Sequence, residues 1–129
     1  MAVASTVHLT TTLEAAGDLS DYRFHFMKND SGQVTVAAVA DSCVGVLQDK
    51  PEAEGRAAEL VVVGETKIVA GDAIDALAPI TTDTNGHAVA VTPGSDTTCY
   101  ILGRALEAAG AANDIIRVAV NCINPARAA

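Results

Sequence analysis

The sequence predicts an all-β fold, a small barrel or sandwich with an extended N-terminal arm, and three observations carry that expectation. Short β-favouring runs recur at close spacing, turn-forming clusters stand between them, and no helical period of useful length intervenes. About eight strands follow from this spacing, in a single layered domain without crossover helices.

The 129 residues suit one compact domain, residues 21–122, between an arm over 1–20 and a tail over 123–129. Half of the residues are apolar, yet only Tyr22, Phe24, Phe26 and Tyr100 are aromatic, so the core is expected from Val, Ile, Leu and Ala. Side chains this small bury limited area per residue. Part of the apolar surface is therefore expected to be completed between subunits, in an obligate oligomer.

Residues 1–20 are rich in Ala, Thr and Ser and show no sustained period, although Val7, Leu9 and Thr11 alternate as a short extended piece. They read either as a frayed end or as an arm lying on a neighbouring subunit. Residues 22–27 alternate aromatic with polar or flexible residues, 28–32 supply turn chemistry, and 33–39 resume β-favouring residues, which is a hairpin signal. Residues 44–48 form another short apolar piece, stopped before Pro51. Residues 52–58 read as a loop or a single helical turn.

Residues 60–63 are a continuous run of the kind found in strands covered on both faces; Gly64 and Glu65 read as a tight turn before a further run over 66–70. Residues 80–82 and 87–91 flank Asp83-Thr84-Asn85-Gly86, and Asn-Gly between such runs is the strongest short-range hairpin signal because both residues tolerate positive φ. Residues 100–106 read as a strand ending near Glu107, with Gly103 marking a bulge or a close backbone approach, so that Gly103→Val is expected to lower the melting temperature. The stretch 106–112 has helix-favouring residues, but Gly103 and Gly110 enclose too short a segment, and a loop is expected there. Residues 115–120 supply the last strand.

Eight basic residues against sixteen acidic ones give a net charge of −8, with no Lys/Arg run to follow a phosphate backbone, so direct nucleic-acid binding is not expected. The acidity serves either solubility or complementarity to a basic partner. No stretch approaches the roughly 18 apolar residues of a membrane span, and the first 16 residues lack a secretory pattern. A soluble protein made in a reducing cytoplasm is expected. Cys43, Cys99 and Cys122 lie in apolar segments without metal-type spacing and read as buried free thiols, so neither metal nor cofactor is expected.

Nucleophilic catalysis needs a Ser, Cys or Thr beside an oriented base. His8, His25 and His87 are the candidate bases, and each reads as a surface or edge residue. Asp72, Asp75 and Asp83 are close enough in sequence for acid-base work, but carboxylates beside turn residues usually bond nearby backbone N–H groups. No glycine-flanked serine elbow or phosphate loop is present, and the chain is expected to be non-enzymatic.

Four segments in order carry a further signal: 44–51 (Val-Gly-Val-Leu-Gln-Asp-Lys-Pro), 64–71 (Gly-Glu-Thr-Lys-Ile-Val-Ala-Gly), 80–83 with 86–89, and 101–109 (Ile-Leu-Gly-Arg-Ala-Leu-Glu-Ala-Ala). In order and spacing they resemble the capsid cement, or head-decoration, proteins of tailed bacteriophages, over about three-fifths of the chain. The resemblance implies a small β-barrel, β-tulip-like or related, on the outer capsid surface of the virion, made in the bacterial host cytoplasm. It implies contact with several copies of the major capsid protein, reinforcement of the expanded shell, and a homotrimer before a dimer. It carries no catalytic residues.

The first 40 residues and the tail 121–129 match no part of that pattern, and Val7, His8, Leu9, Thr10 and Thr11, in the arm over 1–20, are where capsid contacts are expected, by strand addition or a small apolar patch. On that view, deleting residues 2–18 leaves the barrel folded and lowers capsid occupancy. The rival view is a small β-barrel that binds carbohydrate or peptide on a virion or cell surface, which calls for a cleft with exposed aromatics. A small lyase or hydrolase using Asp72 or Asp83 is a third.

Overall fold

A computed structural model describes residues 9–129. Among them stand eleven strands: β1 (Leu9–Ala15), β2 (Phe26–Asp30), β3 (Gln33–Val36), β4 (Gly45–Leu47), β5 (Ala57–Val69), β6 (Pro79–Thr82), β7 (Ala88–Ala90), β8 (Tyr100–Ile101), β9 (Gly103–Ala105), β10 (Ile115–Asn121) and β11 (Ala126–Arg127). Nine of them form one sheet in the order β1-β3-β2-β4-β5-β10-β9-β6-β7, and β8 with β11 forms a second. The protein is all-β. The stretch 106–112 is irregular, as its short length between glycines requires.

The hairpins follow from local chemistry. Between β2 and β3, Ser31 and Gly32 both take positive φ, 55° and 91°, and the Asn29 side-chain oxygen accepts from the Gly32 N–H at 2.8 Å. This two-residue turn matches the twist of the strands it joins, so β2 runs on through Asp30, which pairs with Gln33. Between β6 and β7, Asp83 Oδ1 accepts from the N–H groups of Asn85 at 2.8 Å and His87 at 2.9 Å, while Gly86 supplies a φ of 74°.

Gly64 and Glu65 are not a turn. β5 is one strand of 13 residues, and Gly64 passes through it at φ 135°, a conformation open almost only to glycine. The strand changes partners there. Its first half pairs with β1 and β4, whereas residues 63–69 pair with β10 in unbroken antiparallel register.

Because β1 pairs with β5 as well as with β3, the strands β1, β3, β2, β4 and β5 form a closed hydrogen-bonding circuit. Ala15, Leu19, Met27, Val34, Leu47, Ala58 and Leu60 pack together within this part of the fold. A second cluster, with Phe26, Val46, Val61, Ile68, Ile80, Leu102 and Val118, fills the space against β10, β9 and β6. Adjacent residues divide between the two: Phe26 from Met27, Val46 from Leu47, Val61 from Leu60. Side chains alternate across a strand, so a strand lying between two cores must read as a continuous apolar run.

Two boundaries expected from sequence are corrected. Residues 9–20 are not an arm: Leu9–Ala15 is antiparallel to β5 and parallel to β3, Ala15 is fully buried, and Leu19 is buried. Of the inward positions Thr11, Leu13 and Ala15, only Leu13 is large and apolar, too little to show a hydrophobic period. The tail 123–129 is also part of the fold. β11 pairs with β8, Ala128 packs against Val91 and Cys99, and Arg127 stacks over the Tyr100 ring at 4.5 Å. Val7 and His8 lie outside the described residues.

Candidate interaction face

β10 reads Ile-Ile-Arg-Val-Ala-Val-Asn, and its alternation is complete: Ile116, Val118 and Val120 are buried while Ile115, Arg117, Ala119 and Asn121 are exposed. Antiparallel register sets Arg117 opposite Lys67 of β5, and Ala119 opposite both Glu65 of β5 and Arg104 of β9. Arg117 bonds to Glu65 through Nε and Nη2, which offsets the like charge of Lys67 directly across the ladder. The Glu107 carboxylate accepts from the Arg117 backbone N–H at 2.9 Å.

Exposed apolar side chains border this basic row. Ile115 begins it, and Ile123 stands beyond its other end, where Asn121 Oδ1 accepts from the Ile123 N–H at 3.2 Å. Leu106 donates its N–H to the Arg117 carbonyl, and Leu77 donates to that of Ala105. Leu77 is 60% exposed and holds a positive φ of 67°, an uncommon combination for a large apolar residue. These four are among the seven large hydrophobic side chains exposed in the described residues. Apolar residues around a sparse set of charges, with a small residue at the centre, resemble the make-up of protein interfaces.

Beside this face lies a cleft of about 510 Å³, lined by Thr10, Arg23, Phe24, Gln48, Lys67 and Arg117 among others. Phe24 takes φ 63°, held there by backbone bonds from its N–H to the Leu47 carbonyl at 2.7 Å and from the Val69 N–H to its own carbonyl at 3.0 Å. Its ring lies beneath the Arg23 guanidinium at 4.6 Å, and Arg23 Nε donates to the Gln48 carbonyl at 3.0 Å. A second cleft of about 480 Å³ lies along Arg104, Ala119, Asn121 and Pro125.

Of the residues expected from sequence to make contacts, Thr10 lines the first cleft, and Leu9 and Thr10 are exposed. Leu9, Thr10 and Thr11 also pair with Val63, Val61 and Leu60, so they are ladder residues first. Lys67, Arg104 and Arg117 were not singled out from sequence. The outward parity of residues 115–121 carried the signal for Arg117, but only the register shows that all three share one face.

The aromatic residues do not make an open stacking platform. Phe26 is fully buried, Phe24 and Tyr100 are each covered by an arginine, and Tyr22 is exposed with its edge against His25. Two of the three candidate carboxylates are engaged in turns, Asp83 as described and Asp72 with the Ala73 N–H at 2.8 Å, while Asp75 takes part through its backbone carbonyl, which accepts from the Ala78 N–H at 3.2 Å. The three cysteines are free and buried, and burial pushes the Cys122 thiol up to about 12 and the Cys43 thiol higher still.

His25 is not a surface residue. It is 7% exposed, its Nδ1 donates to the Arg23 carbonyl at 3.0 Å, and its ring lies 4.8 Å from that of His87. The contact stands where the β6–β7 turn meets β2: the Phe26 N–H donates to the Gly86 carbonyl at 2.8 Å. Burial, reinforced by His87 and opposed by the Arg23 carbonyl and Asp83, holds the His25 pKa below its ordinary 6.5. The folded state thus favours neutral His25, and the stability tied to this is present above about pH 6.5 and lost as pH falls through the lower folded value. The melting temperature is expected to drop between about pH 7 and pH 5, with a shallower slope in His25→Gln; equal slopes in thermal melts would contradict it.

Comparison with known proteins adds to this geometry. No curated protein matches the chain. Among solved structures, the head fiber gp8.5 N base of bacteriophage phi29 superposes with a TM-score of 0.63 at 18% identity, over 90% of this chain and 96% of that one. Identity at that level speaks for a shared fold. A family model described as phage cement protein matches residues 3–121, nearly the whole chain. The chain belongs to the phage cement protein family.

Proposed function

We propose that this chain is a non-enzymatic capsid cement protein that binds the outside of a phage head, bridges major capsid protein subunits and stabilises the expanded shell. The family match over residues 3–121 is the observation that carries it. The five-strand circuit is consistent with a small β-barrel, and the exposed apolar and basic face with an oligomer, a trimer in the first instance. A shell under internal pressure fails where capsomers separate. A bridging protein adds contacts only where the expanded lattice sets its sites at the right spacing, so binding selects the mature state. A trimer strengthens weak single contacts, because the second and third engagements are intramolecular.

Purified expanded heads lacking the protein, incubated with the recombinant chain, are expected to bind it in numbers approaching the major capsid protein and to resist heating better than bare heads. Unexpanded heads are expected to bind far less. Absence of binding to expanded heads sinks the proposal.

A further inference from the structure

The chain is acidic overall, but its charge is unevenly placed. Residues 14–21 and 48–56 come together at the start of β5, through bonds from the N–H groups of Ala15 to Arg56, Leu19 to Pro51 and Gly55 to Ala15 carbonyls at 2.8–2.9 Å. These segments carry Glu14, Asp18, Asp21, Asp49, Glu52 and Glu54 against Lys50 and Arg56. Six acids less two bases is −4, half of the net −8. At the other end of β5 lies the outward face of β10. There Arg117 is paired with Glu65, while Lys67 and Arg104 have no carboxylate within salt-bridge distance among the described residues.

We propose that the outward face of β10, with Lys67, Arg104 and the apolar Ile115, Leu106 and Leu77, receives the acidic end of a second copy of this chain. The proposal rests on the oligomeric part of the function above and says which surfaces join. Copies of a protein with net charge −8 repel one another in most orientations, and the approach that sets the basic face against an acidic end relieves this. Within one molecule, among the described residues, no ion pair joins Lys67 or Arg104 to the acidic segments, although Gln48, at the start of the second segment, bonds to Thr66 beside Lys67 at 2.8 Å. Contact between unlike patches is head to tail, and it closes into a ring when the rotation between copies allows, three copies making the trimer. The apolar residues beside the basic row supply area that charge alone lacks, and apolar burial keeps such a ring together when salt screens its charges.

Charge exchange tests this on the full chain. Lys67→Glu with Arg104→Glu, and separately Glu52→Lys with Glu54→Lys, are each expected to weaken self-association at least about tenfold by sedimentation, with melting temperatures near that of the parent. All four substitutions in one chain set new lysines against new glutamates, and association is expected to recover part of what either pair alone loses. Two-site variants that associate like the parent, a four-site variant no better than either pair, or a parent that stays monomeric would each overturn the interface. Head binding separates this from the cement role. A chain that occupies heads while its face variants still trimerise loses only this interface, and one that trimerises through this face but ignores heads loses only the cement role. Face variants that keep the trimer and lose head binding would assign the face to the capsid protein instead.

Discussion

Gly103→Val is expected to lower the melting temperature by roughly 10 °C or more, because the new side chain runs into the backbone of β10. Gly103 lies in β9 between Val120 of β10 and Ile80 of β6. A Cβ placed on it collides with the Ala119 carbonyl oxygen and comes within 2.9 Å of the Val120 Cα. Neither atom belongs to a flexible side chain, so relief requires β9 and β10 to part and ladder bonds to lengthen. Overpacking a core costs about 1–3 kcal/mol even where side chains can yield, and here the yielding element is a central strand, so about 3 kcal/mol or more is expected. For a domain of this size each kcal/mol moves the melting temperature by about 3–5 °C. Gly110→Val is the control: the nearest atom to its Cβ is Asp114 Oδ2 at 3.6 Å, and its melt is expected to stay within a few degrees of the parent. Thermal denaturation followed by circular dichroism reads both, and an unshifted Gly103→Val would contradict the position of β9.

The hairpins were the most legible part of this fold because their signals are local. Ser31 and Gly32 in the first turn and Gly86 in the second take positive φ, and nothing distant is needed to read these turns. The run Leu60-Val61-Val62-Val63 announced a strand covered on both faces, and the two cores that share β5 are what cover it. The glycines were more ambiguous. Gly103 reads as a close approach and is one, whereas Gly64 reads as a turn and instead lets a long strand change partners. A glycine with positive φ looks the same in sequence whether the chain reverses or bends, and the difference lies in the partners that β1 and β10 bring from far away in the chain.

Distance in sequence also explains what was missed at the candidate face and at the two ends of the chain. Lys67, Arg104 and Arg117 share a face only because β5, β10 and β9 are neighbours in register. His25 alternates with the aromatic residues Phe24 and Phe26 and so reads as the outward member of an edge strand, but the β6–β7 turn arrives from about sixty residues later and buries it. β1 and β11 are closed by pairings with β5 and β8 and use few large apolar residues of their own, which leaves little pattern to read.

Deleting residues 2–18 is therefore expected to abolish cooperative folding rather than to spare the domain. The deletion removes β1, leaves the facing edges of β5 and β3 without their partner, and opens the cluster of Met27, Val34, Leu47 and Leu60 where Ala15 now closes it. Ladder bonds over six residues and the covering of that cluster are lost together. Against a total stability of about 5–15 kcal/mol such a loss is decisive. The chain is expected to show no sharp melt and to bind a hydrophobic dye. Deleting residues 2–8 leaves every described pairing of β1 in place, and its melt is expected to stay close to that of the parent. The contrast governs how contacts by Val7 and His8 can be tested: lost head occupancy in the longer deletion reports only unfolding, while the same loss in the shorter one reports contact. If the longer deletion melts cooperatively near the parent, β1 is dispensable, and the circuit it closes is not what holds the first core together.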